Sequence, residues 1–121
     1  MDKTVLVVDD SAALRKFVMF ALRSQGYAVL TAQDGMEALE KMTEQQVDLV
    51  ITDLNMPRMD GFGLVQAIRT DGSYASTPII ILSSLSRQDE IQHGLQLGAN
   101  TFLNKPFDQK RLQYEVAKFI H

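Results

Sequence analysis

A five-stranded parallel α/β fold, with helices on both faces of the sheet, is what this 121-residue chain predicts. Short continuous runs of apolar, β-branched residues look like strands buried on both faces. Between them lie stretches whose apolar residues recur at helical spacing. Capping and turn residues punctuate the alternation. The length suits one domain with a substantial core rather than two.

Thr4 to Val8 reads as the first strand. Leu14, Phe17, Val18, Ala21 and Leu22 then form a helical stripe, with Arg15, Lys16 and Arg23 on the other side, Ser11 as cap and Gly26 as stop. Ala28 to Ala32 is the second strand. Asp34-Gly-Met-Glu37 has capping-box spacing ahead of a helix through about Glu44. Asp48 to Asp53 is the third strand, followed after Gly61 by a helix carrying Phe62, Leu64, Val65 and Ile68. Thr70 to Thr77, rich in Gly, Ser and Asp, is a loop. Pro78 to Ser83 is the fourth strand, and a helix spans roughly Arg87 to Leu97. Within that helix Gly94 costs about 1 kcal/mol relative to Ala, which predicts the least rigid helix of the five. Asn100 to Asn104 is the fifth strand, and Asp108 caps a last helix running to the C-terminus. Leu14, Phe17, Val18 and the methionines are expected in the core, and His93 and His121 on the surface.

Composition removes several function classes. A net charge of -3, with no basic block, argues against a surface built to bind nucleic acid. The absence of cysteine rules out disulfides, thiolate metal sites and cysteine nucleophiles. No run is long enough to span a bilayer and no signal-peptide core is present, so a cytoplasmic, membrane-free location is expected.

Chemistry concentrates at the carboxyl ends of the strands, where ligands of open α/β sheets sit. The first strand ends in Asp9 and Asp10, the third in Asp53, the fourth in Ser83, and the fifth runs into Lys105. Burial of these strands gives no reason for acidic tips. Carboxylates so close resist ionising together unless a cation sits among them, and Mg²⁺, a hard oxygen-seeking ion, fits. Asp53 is the candidate nucleophile toward phosphorus. Asp9 and Asp10 would hold the metal, and Lys105 would supply a second positive charge to the same oxygens. Ser83 could donate to the phosphoryl group once in place. Singly, each residue reads more simply as a cap, a loop hydroxyl or a surface charge. Their convergence at one sheet edge favours the functional reading.

Val8-Asp9-Asp10-Ser11, Asp53-Leu-Asn-Met-Pro57-Arg-Met-Asp-Gly61, Leu82-Ser83-Ser84 and Lys105-Pro106-Phe107 resemble the signatures of the response-regulator receiver domain. Asp34-Gly-Met-Glu37 and Leu97-Gly-Ala99 fit the same family, and the resemblance covers essentially all of residues 1–121, a single receiver domain. It is strongest to the single-domain, CheY-like chemotaxis regulators. The resemblance implies a flavodoxin-like (βα)5 fold with strand order 2-1-3-4-5. Asp53 then matches the phosphoacceptor, charged by the phosphohistidine of a histidine kinase. Asp9, Asp10, Asp53 and the backbone carbonyl of Asn55 match the Mg²⁺ site, and the Lys105–Pro106 bond is expected to be cis. Ser83 and Phe102 match the switch pair: Ser83 moves toward the phosphoryl group and Phe102 rotates into the vacated space. The fourth helix, fifth strand and fifth helix change as a result.

The resemblance also implies no enzyme beyond catalysis of the chain's own phosphorylation and autodephosphorylation. A monomer is expected, signalling through a flagellar motor switch protein or another output partner, with a phosphatase or a phosphotransfer protein as further partners. Relay of phosphate to a phosphotransfer protein is the alternative role, on the expectation that no output domain follows the fifth helix. Phe102 lacks the hydroxyl of a tyrosine. Leu85 stands where an acidic or polar side chain would border the hydrolysing water; Leu85→Glu is expected to shorten the acyl-phosphate lifetime, read by the decay of labelled protein. Three other activities fit less well. An aspartate-nucleophile phosphatase would need an acid at Asn55, and a flavin carrier would need a Ser/Thr/Gly-rich loop in place of Asp9-Asp10-Ser11. A phosphorylation-independent pseudo-receiver would lack acids that are all present.

Overall fold

Each expected strand and helix forms in the computed structural model, which describes residues 2–84 and 87–121. In chain order they are β1 (Thr4–Val8), α1 (Ala12–Arg23), β2 (Ala28–Ala32), α2 (Gly35–Glu44), β3 (Leu49–Asp53) and α3 (Gly61–Thr70). After a 3-10 turn at Gly72–Tyr74 come β4 (Ile79–Ser84), α4 (Gln88–Leu97), β5 (Thr101–Lys105) and α5 (Gln109–Ala117). The five strands are parallel in the order β2-β1-β3-β4-β5, the order the resemblance implied.

Side chains alternate across the sheet and build a core on each face. Val5, Val7, Leu49, Ile51, Ile80, Leu82 and Leu103 pack with Val18, Ala21 and Leu22 of α1 and Leu112 and Val116 of α5. Leu6, Val8, Val50, Ile79 and Ile81 point the other way, onto Ala38 and Met42 of α2 and Leu64, Val65 and Ile68 of α3. Gly94 has a packing reason that the sequence did not reveal. A Cβ there would lie 2.8 Å from Ile81 Cδ1, so its absence lets α4 close onto β4.

Caps set the helix starts. Ser11 Oγ accepts from the Leu14 N–H at 3.2 Å, and the carboxylates of Asp34, Asp60 and Asp108 accept from the N–H groups three residues on at 2.9, 2.9 and 2.8 Å. In the expected capping box, Glu37 reaches back to the N–H of Gln33 rather than that of Asp34. Two readings change. Phe17 is 38% exposed, leaning on Phe107 with ring centroids 6.0 Å apart, and Met36 is also exposed. The last helix stops at Ala117, and the chain then turns to bury Ile120, whose carbonyl accepts from the Tyr27 hydroxyl at 3.1 Å.

Asp34 does more than cap α2. Arg58 grips its carboxylate through Nε at 2.8 Å and Nη2 at 3.0 Å. The guanidinium and then the α2 backbone N–H groups hold the Asp34 carboxyl below its ordinary pKa. A depressed folded pKa gives stability that is complete above the unfolded value, about 3.9, and is lost as pH falls through the folded value. The stability gap between wild type and Arg58→Ala, measured by urea unfolding, should therefore persist at neutral pH and close in acid.

Candidate functional site

β1 and β3 are neighbours whose register pairs Val8 with Thr52, so the next residues, Asp9 and Asp53, emerge side by side. One carboxylate oxygen from each of Asp9, Asp10 and Asp53 lies within 4.8 Å of the others. Asp9 is 1% exposed and Asp53 9%, while Asp10 faces solvent. Lys105, at the end of β5, reaches across β4 to lie 3.3 Å from Asp9 Oδ2 and 3.2 Å from Asp53 Oδ1.

Backbone groups fix both acids. Asp9 Oδ1 accepts from the Ser11 N–H at 2.9 Å, its own N–H donates to the Ala32 carbonyl at 3.1 Å, and Arg15 Nη1 donates to its carbonyl at 2.7 Å. Asp53 Oδ1 accepts from the Leu54 N–H at 2.9 Å, and the Thr52 hydroxyl donates to the Asp53 carbonyl at 2.8 Å. Asp53 Oδ2 has no hydrogen-bond partner among the described residues.

The electrostatics are unresolved without a further cation. Burial pushes the Asp9 carboxyl up, and the neighbouring Asp53 charge adds to it, against the opposing Ser11 N–H and Lys105. Burial works against the Lys105 ammonium, yet the charges of Asp53 and Asp9 outweigh it and hold its pKa above the ordinary value. Three carboxylates with one exposed member form an oxygen-only donor set open to solvent on one side. Those are the demands of a hard divalent ion that keeps part of its water.

Gly61, the first residue of α3, seals the floor of the site. Its N–H donates to the Leu54 carbonyl at 2.9 Å, and a Cβ there would stand 2.2 Å from the Asp53 carbonyl oxygen and 2.7 Å from Leu54 Cα. Backbone cannot yield as a side-chain tip can. Gly61→Ala is expected to destabilise the fold by about 1–3 kcal/mol in urea unfolding. Gly72→Ala, with nothing within 4 Å of its Cβ, serves as the near-neutral control.

The other expected residues lie around this cluster. Ser83 is buried on β4, its hydroxyl donating to the Ser84 carbonyl at a loose 3.4 Å rather than to Asp53. Phe102 is half-buried on β5, against the α2–α3 side of the core. Asn55 is exposed in the loop between β3 and α3, and the Lys105–Pro106 peptide is cis. Leu85 lies outside the described residues. Residue-by-residue reading did not anticipate Arg15, bound to the Asp9 carbonyl, or Arg58, which adopts a left-handed φ of 62° beside the site loop. Neither contact leaves a local sequence signal, because the partner residue is set by the tertiary fold.

A parallel sheet of this order with clustered acids and a bridging lysine at its carboxyl edge defines a class, and the comparisons agree. Residues 5–117 match the model of the response regulator receiver domain, and the chain belongs to that family of two-component signalling domains. A probable chemotaxis protein CheY from Rhizobium etli is 41% identical over 93% of this chain and 88% of its own length. Probable transcriptional regulators ycf27 are similar at the same level: the one from Guillardia theta is 42% identical over 93% of the chain. The chain spans less than half the length of that relative and of the one from Porphyridium aerugineum, 43% and 47%. Among solved structures, the chemotaxis response regulator CheY4 of Vibrio cholerae superposes with a TM-score of 0.93 at 38% identity, covering 99% of this chain and 100% of that one. The receiver domain of the sensor histidine kinase PA1611 from Pseudomonas aeruginosa superposes at 0.90 with 30% identity, covering 99% of this chain and 98% of that one. It holds a magnesium ion in its active site cleft.

Proposed function

We propose that the chain is a phosphorylation switch in which Asp53 accepts a phosphoryl group from the phosphohistidine of a histidine kinase. The observation that carries this is the single ammonium of Lys105 spanning Asp9 and Asp53 beside an exposed third acid, Asp10. Asp53 Oδ2 attacks phosphorus in line, the P–N bond breaks, and its electron pair stays on the imidazole, which is then protonated. Mg²⁺, where Asp9, Asp10, Asp53 and the Asn55 carbonyl hold it, supplies charge neutralisation for the phosphoryl oxygens. Lys105 stabilises those oxygens from the other side. The loose Ser83 hydrogen bond costs little to break, so its hydroxyl turns to the new phosphoryl oxygen, and Phe102 follows into the space released. The readout face is then α4, β5 and α5. On this reading the chain catalyses only its own phosphorylation and dephosphorylation.

Output through a motor switch protein in chemotaxis is supported by the likeness to chemotaxis regulators over nearly their whole length. Relay to a phosphotransfer protein is the alternative. The likeness to transcriptional regulators supports a third role, as the receiver unit of a longer regulator.

Incubation with Mg²⁺ and a small phosphodonor such as acetyl phosphate tests the core of the reading. An acyl phosphate that is labile to hydroxylamine and absent with EDTA is the expected product, and its absence would overturn the proposal. Capture of a motor switch protein only by the phosphorylated form favours the chemotaxis role, and phosphate passed to a phosphotransfer protein favours relay.

A further inference from the structure

The loop between β3 and α3 carries Asn55 and is pinned on both sides. At its near end Asp53 Oδ1 holds the Leu54 N–H at 2.9 Å, and the Leu54 carbonyl holds the Gly61 N–H at 2.9 Å. At its far end it is fastened to the start of α2. The Met59 carbonyl accepts from the Gly35 N–H at 2.9 Å, and a Cβ on Gly35 would fall 2.7 Å from Met59 Cγ, so loop and helix touch backbone to side chain. Arg58 adds a planar two-point grip on Asp34, at 2.8 and 3.0 Å, in which the acid is 7% exposed and the arginine 63%. Only Asn55, Met56 and Pro57 lie between these fastenings.

The backbone at Arg58 makes the grip informative. Its φ of 62° lies in the left-handed region, which glycine adopts freely and a branched Cα does not. An arginine there trades local strain for something its side chain does. Strain of this kind, held in place by surrounding contacts, is a recurrent feature of functional loops.

We infer that Arg58 and Asp34 are positioning residues for the Mg²⁺ site, holding the Asn55 carbonyl at its place through the β3–α3 loop; this rests on the Mg²⁺ reading above. The alternative is a structural staple that fixes α2 and leaves the metal indifferent. Direct electrostatics also points the other way, because removing a nearby cation favours a second cation. Positioning alone makes Mg²⁺ binding weaker when Arg58 is lost.

Calorimetric titration with MgCl₂ and amide exchange in the metal-free protein together test this. Arg58→Ala and Arg58→Gly are both expected to raise the Mg²⁺ Kd about three- to tenfold, less than the roughly 10–100-fold of partners that bond a ligand directly. Arg58→Gly relaxes the left-handed backbone, so its weaker Mg²⁺ binding without loss of stability would exclude a staple role. Asp34→Asn keeps the α2 cap but not the ion pair. It should match Arg58→Ala, and the double variant should bind no more weakly than either, as one shared interaction requires. Exchange at the Gly35 amide, which donates to the Met59 carbonyl, should quicken about fivefold in Arg58→Ala before any metal is added, in line with a released outer-shell contact. Unchanged or tighter Mg²⁺ binding in the Arg58 variants overturns the inference. A wild type that binds no Mg²⁺ defeats the Mg²⁺ reading and the inference with it, while exchange still reports separately whether the latch holds the loop.

Discussion

Asp53→Asn is expected to abolish phosphoryl uptake while leaving the fold in place. Three acids share the site, and they differ in how fully their oxygens are engaged. Asp9 is buried with both oxygens engaged, Oδ1 by the Ser11 N–H and Oδ2 by Lys105. Asp10 is exposed and outside the reach of Lys105 in these contacts, so an attack from it would lack the charge that stabilises the transferring group. Asp53 combines a fixed oxygen with one that has no partner among the described residues. Asparagine keeps the acceptor for the Leu54 N–H and nearly the same shape, but its amide oxygen is no nucleophile toward phosphorus. Intact-mass measurement after treatment with acetyl phosphate and Mg²⁺ should show phosphorylation of the wild type and none of the variant, with matching urea midpoints. A phosphorylated Asp53→Asn protein would move the acceptor to Asp9 or Asp10.

Much of this was legible in the chain, for physical reasons that also mark its limits. The strands announce themselves because both faces of a parallel sheet are covered, so their apolar runs are unbroken. The acids at their ends stand out because nothing in that burial calls for charge. The strand order came from family likeness, since alternation of elements constrains handedness but not order. Phe17 was misplaced because helical spacing identifies an apolar stripe without saying how wide a face the neighbours cover. On α1 the stripe overruns that face. The end of α5 was missed for a related reason: Ile120 is buried by a turn that Lys118 begins, and the helical pattern contains no glycine or proline to announce it. Arg58 is the most instructive case. Its sequence neighbours show a loop, whereas its left-handed backbone and its hold on Asp34, 24 residues away, exist only once α2 and the loop have met.

Lys105→Met should separate metal binding from chemistry, because the two are expected to move in opposite directions. Methionine preserves most of the stem that crosses β4 and removes the charge. Phosphoryl uptake from a small donor should slow by about 10²–10³-fold, the usual cost of deleting one preorganised charge or donor from a polar transition state. The same deletion leaves Asp9 and Asp53 without the ammonium that now lies 3.3 and 3.2 Å away. Burial already pushes the Asp9 carboxyl up, and losing Lys105 removes one of the influences holding it down. A divalent cation then has no competitor for those oxygens, so Mg²⁺ should bind the variant more tightly than the wild type at a pH high enough to keep Asp9 ionised. Calorimetry would report the tighter binding, and single-turnover phosphorylation at saturating Mg²⁺ the slower step. If both fell together, Lys105 would be acting mainly as a strut that holds the two acids in register. If uptake were unchanged, the positive charge that matters during transfer would have to come from the metal alone.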